Sequence, residues 1–185
     1  MNPRQNNITQ LFLVEAQTSF DRILKRIVAC LRLLSDEEIW WRPNAASNSA
    51  GNLVLHLSGN MRQWIVSGLG GAPDLRLRDA EFSEKGPLPR SVLVAQLTRT
   101  VRDVGQVLRR LPPESLSRIY QIQGFRVTGL VAVSHVYQHF SHHAGQIIYI
   151  TKLLKRRDLG LTELPARSKK NRGVKQGRAR QQRAL

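Results

Sequence analysis

Four of the five histidines in this chain, His135, His139, His142 and His143, fall within nine consecutive residues. Imidazole is the commonest neutral ligand for zinc, nickel, copper and iron, so the cluster points first to metal chemistry. On a helix, residues follow one another at about 100°. That places His139 about 40° from His135, His143 about 80° from it, and His142 about 20° to the other side, all within an arc of about 100°. His139 and His143 are one turn apart and can converge on one ion; His135 and His139 can do the same. Spacing does not choose between the two pairs. Two ligands from one helix need a third from elsewhere, and the remaining histidine is His56. Three imidazoles leave a coordination position open, as in a catalytic rather than a closed structural site. The competing reading is ordinary packing: HxxxH pairs occur on helices without metal, and an inward histidine is often a hydrogen-bonded core residue.

The elements that must position these side chains read as helices. Phe20, Ile23, Leu24, Ile27, Val28, Leu31 and Leu34 form one amphipathic stripe, predicting a helix from near Ile8. Ser35-Asp36-Glu37-Glu38 has the pattern of a capping box opening a short turn that Pro43 stops. Ser49 is an N-cap candidate for a second helix, on which Leu53, His56, Leu57, Asn60, Met61, Trp64 and Ile65 share the apolar face. Gly68, Gly70, Gly71 and Pro73 end it. Residues 70–88 are a long polar connection, the mark of a crossover or a lid rather than a hairpin. A third helix carries Val94, Leu97, Val101, Val104, Leu108 and Leu111 and breaks at Pro112-Pro113. Gln121–Arg126 is a candidate extended segment, and Thr128 a cap for the last helix, 129–156, with the histidines. The pattern predicts an all-α four-helix bundle with a crossover connection and no convincing strands.

Composition bounds the rest. In 185 residues, 41% are hydrophobic and 23% charged, enough apolar material for a core. A single cysteine, Cys30, excludes an internal disulfide and a cysteine zinc ribbon, and reads as a small core residue. No apolar run reaches the ~20 residues of a membrane helix, and the start, Met1–Asn7, lacks an apolar signal segment; a cytoplasmic protein is expected. Half of the net charge of +16 lies after residue 164, on Arg167, Lys169, Lys170, Arg172, Lys175, Arg178, Arg180 and Arg183. We therefore expect a bundle over 1–160 and a disordered basic tail over 161–185. The tail reads either as solubilising or as a sequence-nonspecific contact for nucleic acid; it carries no aromatic residue to stack on bases. Smaller expectations attach to single residues. Trp41 and Trp64 are read as core packing rather than pocket lining, and Asn60 as a core hydrogen bond or a ligand-orienting group. Gly145 is read as a site of close helix approach, with Gln146 as a partner for a metal-binding histidine.

The stretch His139-Phe140-Ser141-His142-His143-Ala144-Gly145-Gln146-Ile147 resembles the HxxxHxGQ signature of the DinB-like superfamily of metalloenzymes (DinB/YfiT type). The blocks Trp41-Arg42-Pro43-Asn44 and Asn52-Leu53-Val54-Leu55-His56-Leu57-Ser58-Gly59-Asn60 are similar to its second conserved region. The likeness covers roughly 8–160 and is closest to a family of unknown function within the superfamily. It implies His56, His139 and His143 as ligands of a divalent ion, usually zinc or nickel. It also implies an up-down-down-up helix order and, frequently, a homodimer. Relatives include thiol S-transferases and hydrolases of small-molecule substrates. A metal there would lower the pKa of a bound water or thiol for attack on an electrophile, with His135 and His142 as general-base or ligand-positioning candidates. His142 reads equally as a solvated helix residue. Many relatives carry Arg where this chain has Ala144, which puts an anionic substrate in doubt; the basic tail is also outside the family pattern. The alternatives are a nucleic-acid-associated protein acting through the tail and a non-catalytic metal-binding bundle.

Overall fold

The computed structural model describes residues 3–161; the expectations for the basic tail fall on residues 162–185, outside the described ones. Helix α1 (Pro3–Leu33) opens before Ile8, because Pro3 suits a first helical turn and the polar residues after it carry no apolar stripe to read. Short α2 (Asp36–Trp40) is capped by the expected box: Glu38 N–H donates to Ser35 Oγ, and Ser35 N–H donates back to the Glu38 carboxylate. Helix α3 (Ala50–Met61) starts at the Ser49 cap and runs into a wider π turn, Arg62–Ser67. There the N–H groups of Gly68 and Gly70 reach back five residues to Gln63 and Ile65. Short α4 (Arg78–Ser83) lies inside the 70–88 connection, α5 spans Arg90–Arg110, and α6 spans Gly129–Lys155 under the Thr128 cap.

The long helices close a ring in which α1 touches α5 and α6, and α3 touches α5 and α6. Side-chain pairs give the directions. Phe20 meets Phe140 at 5.8 Å between ring centroids, and Cys30 meets Thr151, so α1 and α6 run parallel. Arg62 reaches Asp103 at 3.1 Å while Gly70 abuts Val107, so α3 and α5 also run parallel. Arg90 at the start of α5 bonds the carbonyls of Arg32 and Leu34 at the end of α1, making that pair antiparallel. The order is up-down-down-up. Phe20, Ile27, Leu57, Met61, Leu97 and Phe140 are fully buried between the helices. No helix among the described residues is long and apolar enough to cross a membrane.

Three expectations need correction. The bundle is not strandless: β1 (Ile119–Ile122) and β2 (Phe125–Thr128) pair antiparallel around Gln123-Gly124, both at positive φ. Four residues per strand are too few for alternation to register, although the extended character of 121–126 was legible. Trp41 is not core; it is 37% exposed, and its neighbour Trp40 packs instead, against Gly51 and Gly86, with its indole N–H donating to Leu88 O. Gly145 makes no close approach, since a side chain there would meet nothing within 4 Å. Cys30 is buried as expected, and burial raises its thiol pKa.

Asn52 is one of the side chains that hold down the 70–88 connection, beside Arg42, whose guanidinium donates to the carbonyls of Phe82 and Glu84. Asn52 is fully buried. Its amide donates to the carbonyls of Glu81 and Glu84 at 2.9 and 2.8 Å, and its Oδ1 accepts from Arg42 at 2.8 Å and from Ser49 Oγ at 2.6 Å. Asn52→Leu keeps the volume and strands those partners. We expect a loss of about 3 kcal/mol in urea unfolding, together with faster amide exchange across 80–86; a loss below ~1 kcal/mol would contradict the role given to Asn52.

Candidate metal centre

Helices α3 and α6 face each other with matched rows. On α3 and the π turn that continues it the row is His56, Asn60 and Trp64; on α6 it is His135, His139 and His143, each one turn after the last. Trp64 stacks on His135 at 4.2 Å between ring centroids, while His56 meets His139 and His143 at 4.8 and 5.1 Å. The helices are therefore antiparallel here. His56 Nε2 lies 2.7 Å from His139 Nε2, and one donor nitrogen from each of His56, His139 and His143 falls within 4.8 Å of the others. Of the two pairs that spacing left open, the fold brings 139 and 143 to His56. His135 sits one layer away, its ring parallel to His139 at 5.6 Å. His142 is solvent-exposed and outside the cluster.

The outer nitrogens are held from behind. His56 Nδ1 is 2.9 Å from Glu81 Oε2. Nδ1 also lies 3.1 Å from Arg76 Nη2, which only donates; the shorter contact, to a carboxylate that only accepts, favours a proton on Nδ1 and leaves Nε2 facing the cluster. His143 Nδ1 likewise donates to Gln146 Oε1 at 2.6 Å, leaving its Nε2 bare, in line with the expectation for Gln146. Arg76 grips the same carboxylate from its other side, Nε to Oε1 at 2.7 Å and Nη2 to Oε2 at 2.9 Å, and its Nη1 donates to Gln63 Oε1 on the π turn. Phe82 lies against the His56 ring at 4.7 Å. Sequence reasoning missed Glu81 and Arg76. Both stand in the polar connection, where charged side chains read as solvated, and no spacing rule links residue 81 to residue 56.

Asn60 is 4% exposed and its Oδ1 has no hydrogen-bond partner among the described residues; of its two expected roles, a core hydrogen bond is not made through that oxygen, and the role of orienting a ligand stays open to it. Ala144 is buried. Beside the cluster a cavity of about 560 Å³ is lined by Pro43, Ser47, Asn48, His142, Gln146 and Tyr149 among others, and among the described residues no Asp, Glu, Lys or Arg lines it.

Burial, with neighbouring charge, keeps the imidazoles of the cluster neutral. Burial, then the neighbouring His143, His56, His135 and Arg76, push the His139 pKa down to about 3. Burial also lowers His143 and His135. Burial alone would raise Glu81, but the hydrogen bonds from Arg76 and His56 outweigh it and the carboxylate stays ionised. The donor set fits a divalent ion. Zinc binds imidazole at about 2.0–2.1 Å, which sets ligand nitrogens about 3.3 Å apart in a tetrahedral site, within the spread of these three. The arrangement offers three neutral donors from two rigid helices and a neutral cavity alongside.

The depressed His139 pKa has a consequence for the metal-free protein. Unfolded His139 takes up its proton near 6.5, whereas folded His139 resists it down to about 3. Between those values the unfolded chain binds more protons, so stability is full above about pH 6.5 and falls as pH drops toward 3. Replacing His139 by Asn should flatten this acid-side slope of the urea midpoint; an unchanged slope would contradict it.

Solved structures share this fold. A conserved protein from Enterococcus faecalis matches with a TM-score of 0.63 at 17% identity, covering 77% of this chain and 96% of its own. A DinB-like protein from Bacillus cereus matches at 0.62 and 15%, covering 76% and 91%. A DinB-like protein from Bacillus subtilis matches at 0.60 and 19%, covering 82% and 96%. No curated protein matches the chain. Residues 7–167 match the family described as protein of unknown function (DUF1572). The chain belongs to this family of unknown function, and its fold is shared with the DinB-like proteins.

Proposed function

We propose that the protein is a metal-dependent enzyme holding one divalent ion, zinc or nickel, on His56, His139 and His143, and that it hydrolyses or transfers a thiol to a small-molecule substrate. The observation that carries this reading is the convergence of three imidazoles whose outer nitrogens are occupied, on His56 by Glu81 and on His143 by Gln146. When bound, the ion would supply a Lewis acid that lowers the pKa of a water or thiol. The chain's own residues do the rest. Two helices hold the donors apart at a preset spacing, and Phe82 shields the face of His56 from water. His135, half-buried and kept neutral by burial, is one layer away and serves as the proton acceptor in this reading. Exposed His142 lines the neighbouring cavity. Among the described residues that cavity has no charged lining, and the family resemblance read in the sequence implies Arg where this chain has buried Ala144; both favour an uncharged substrate portion over an anionic one.

Metal content decides first. Protein purified without an affinity tag should carry close to one zinc or nickel ion per chain, and His143→Ala should weaken binding by more than about 100-fold. A loaded protein would then be screened for ester and amide hydrolysis and for thiol transfer. If zinc, nickel and manganese all fail to bind the unaltered chain, the reading falls.

A further inference from the structure

We infer that Glu81 is a positioning residue for His56, carried to it by the 70–88 connection and seated in space that Gly59 leaves empty. The inference rests on the metal-binding reading for its consequence, though not for its geometry. The Glu81 side chain is only 10% exposed and the Arg76 side chain 4%, so this is an ion pair taken out of water. Removing two charges from water costs several kcal/mol per ion, and such pairs add little net stability. Packing alone therefore gives no reason to place one here. What the pair accomplishes is directional. Arg76 occupies both carboxylate oxygens, and the remaining acceptor capacity of Oε2 meets His56 Nδ1 at 2.9 Å. The ring is held with Nε2 toward His139 and His143, and the carboxylate favours the Nδ1–H tautomer against Arg76 Nη2, a donor 3.1 Å from the same nitrogen.

The seat is made by a missing side chain. Gly59 lies in the last turn of α3, inside a helical run that continues through the π turn, where glycine costs about 1 kcal/mol relative to alanine. A methyl group there would overlap the Glu81 carboxylate oxygen and come within 3.0 Å of Arg76 Nε. The carboxylate cannot simply swing aside, because it is bound on both oxygens and Asn52 holds its backbone carbonyl. The helix-weakening glycine is thus explained by the carboxylate it admits.

The test reads the imidazole itself. In metal-free, isotope-labelled full-length protein, nitrogen–proton correlation spectra of His56 should show the Nδ1–H tautomer. Glu81→Ala should shift His56 toward the Nε2–H form, and zinc affinity, measured by competition with a chromophoric chelator, should fall about 10–100-fold. Gly59→Ala keeps the carboxylate and raises helix propensity, so it separates seating from folding; it should reproduce both changes. If both variants keep the original tautomer and zinc affinity, the inference is wrong. A loss of affinity with the tautomer unchanged also overturns it, since Glu81 would then act only by holding the connection in place. If the unaltered chain takes up no zinc, the metal reading fails on its own, and the tautomer in the metal-free protein still decides the role of Glu81.

Discussion

Two neighbouring helices of this bundle, α3 and α5, run parallel, and much of the site follows from that constraint. A chain leaving one end of a helix and entering a parallel neighbour must travel back along the whole length. The helical run from Ala50 to Ser67 is about 27 Å long, while the residues 70–88 can reach about 60 Å when extended. The connection has roughly twice the length it needs. The slack is taken up in short α4 and in a path across the face of α3, past His56 and then Asn52. The same topology that forces a long connection therefore delivers a carboxylate to a histidine 25 residues earlier.

Legibility in the sequence divides along the range of the interactions. Helices α3, α5 and α6 could be read because their apolar faces repeat every three or four residues and their ends carry local signals, Ser49, Pro112 and Thr128 among them. His56 could be placed inward for the same reason. The choice of His139 with His143 over His135 with His139 could not come from spacing, because both pairs are one turn apart. It is settled by the axial position of α3 against α6, which is a tertiary quantity, and the family resemblance had implied the same choice. Glu81 and the Gly59 seat were invisible because each acts on a residue far away in sequence, and Arg76, five residues before Glu81, stands in a polar segment whose charges read as solvated. The π turn leaves no periodic trace, yet it sets the position of Trp64 against His135. Trp40 and Trp41 are adjacent and chemically alike; only the close approach of Gly51 and Gly86 decides which one packs.

The ion pair behind His56 also bears on the charge of the site. A lone carboxylate hydrogen-bonded to a ligand histidine would place a negative charge next to a bound dication and weaken it as a Lewis acid. Here Arg76 cancels that charge at bidentate distance, so Glu81 can orient the ring without offsetting an ion's charge. On the other flank the corresponding acceptor is Gln146, which is neutral. Both outer partners thus supply direction and almost no net charge. Three neutral imidazoles, a cancelled carboxylate, an amide and an uncharged cavity form an environment in which a divalent ion would keep nearly its full charge. Such an ion would act as a strong Lewis acid, and Arg76 would contribute to that condition beside the histidines.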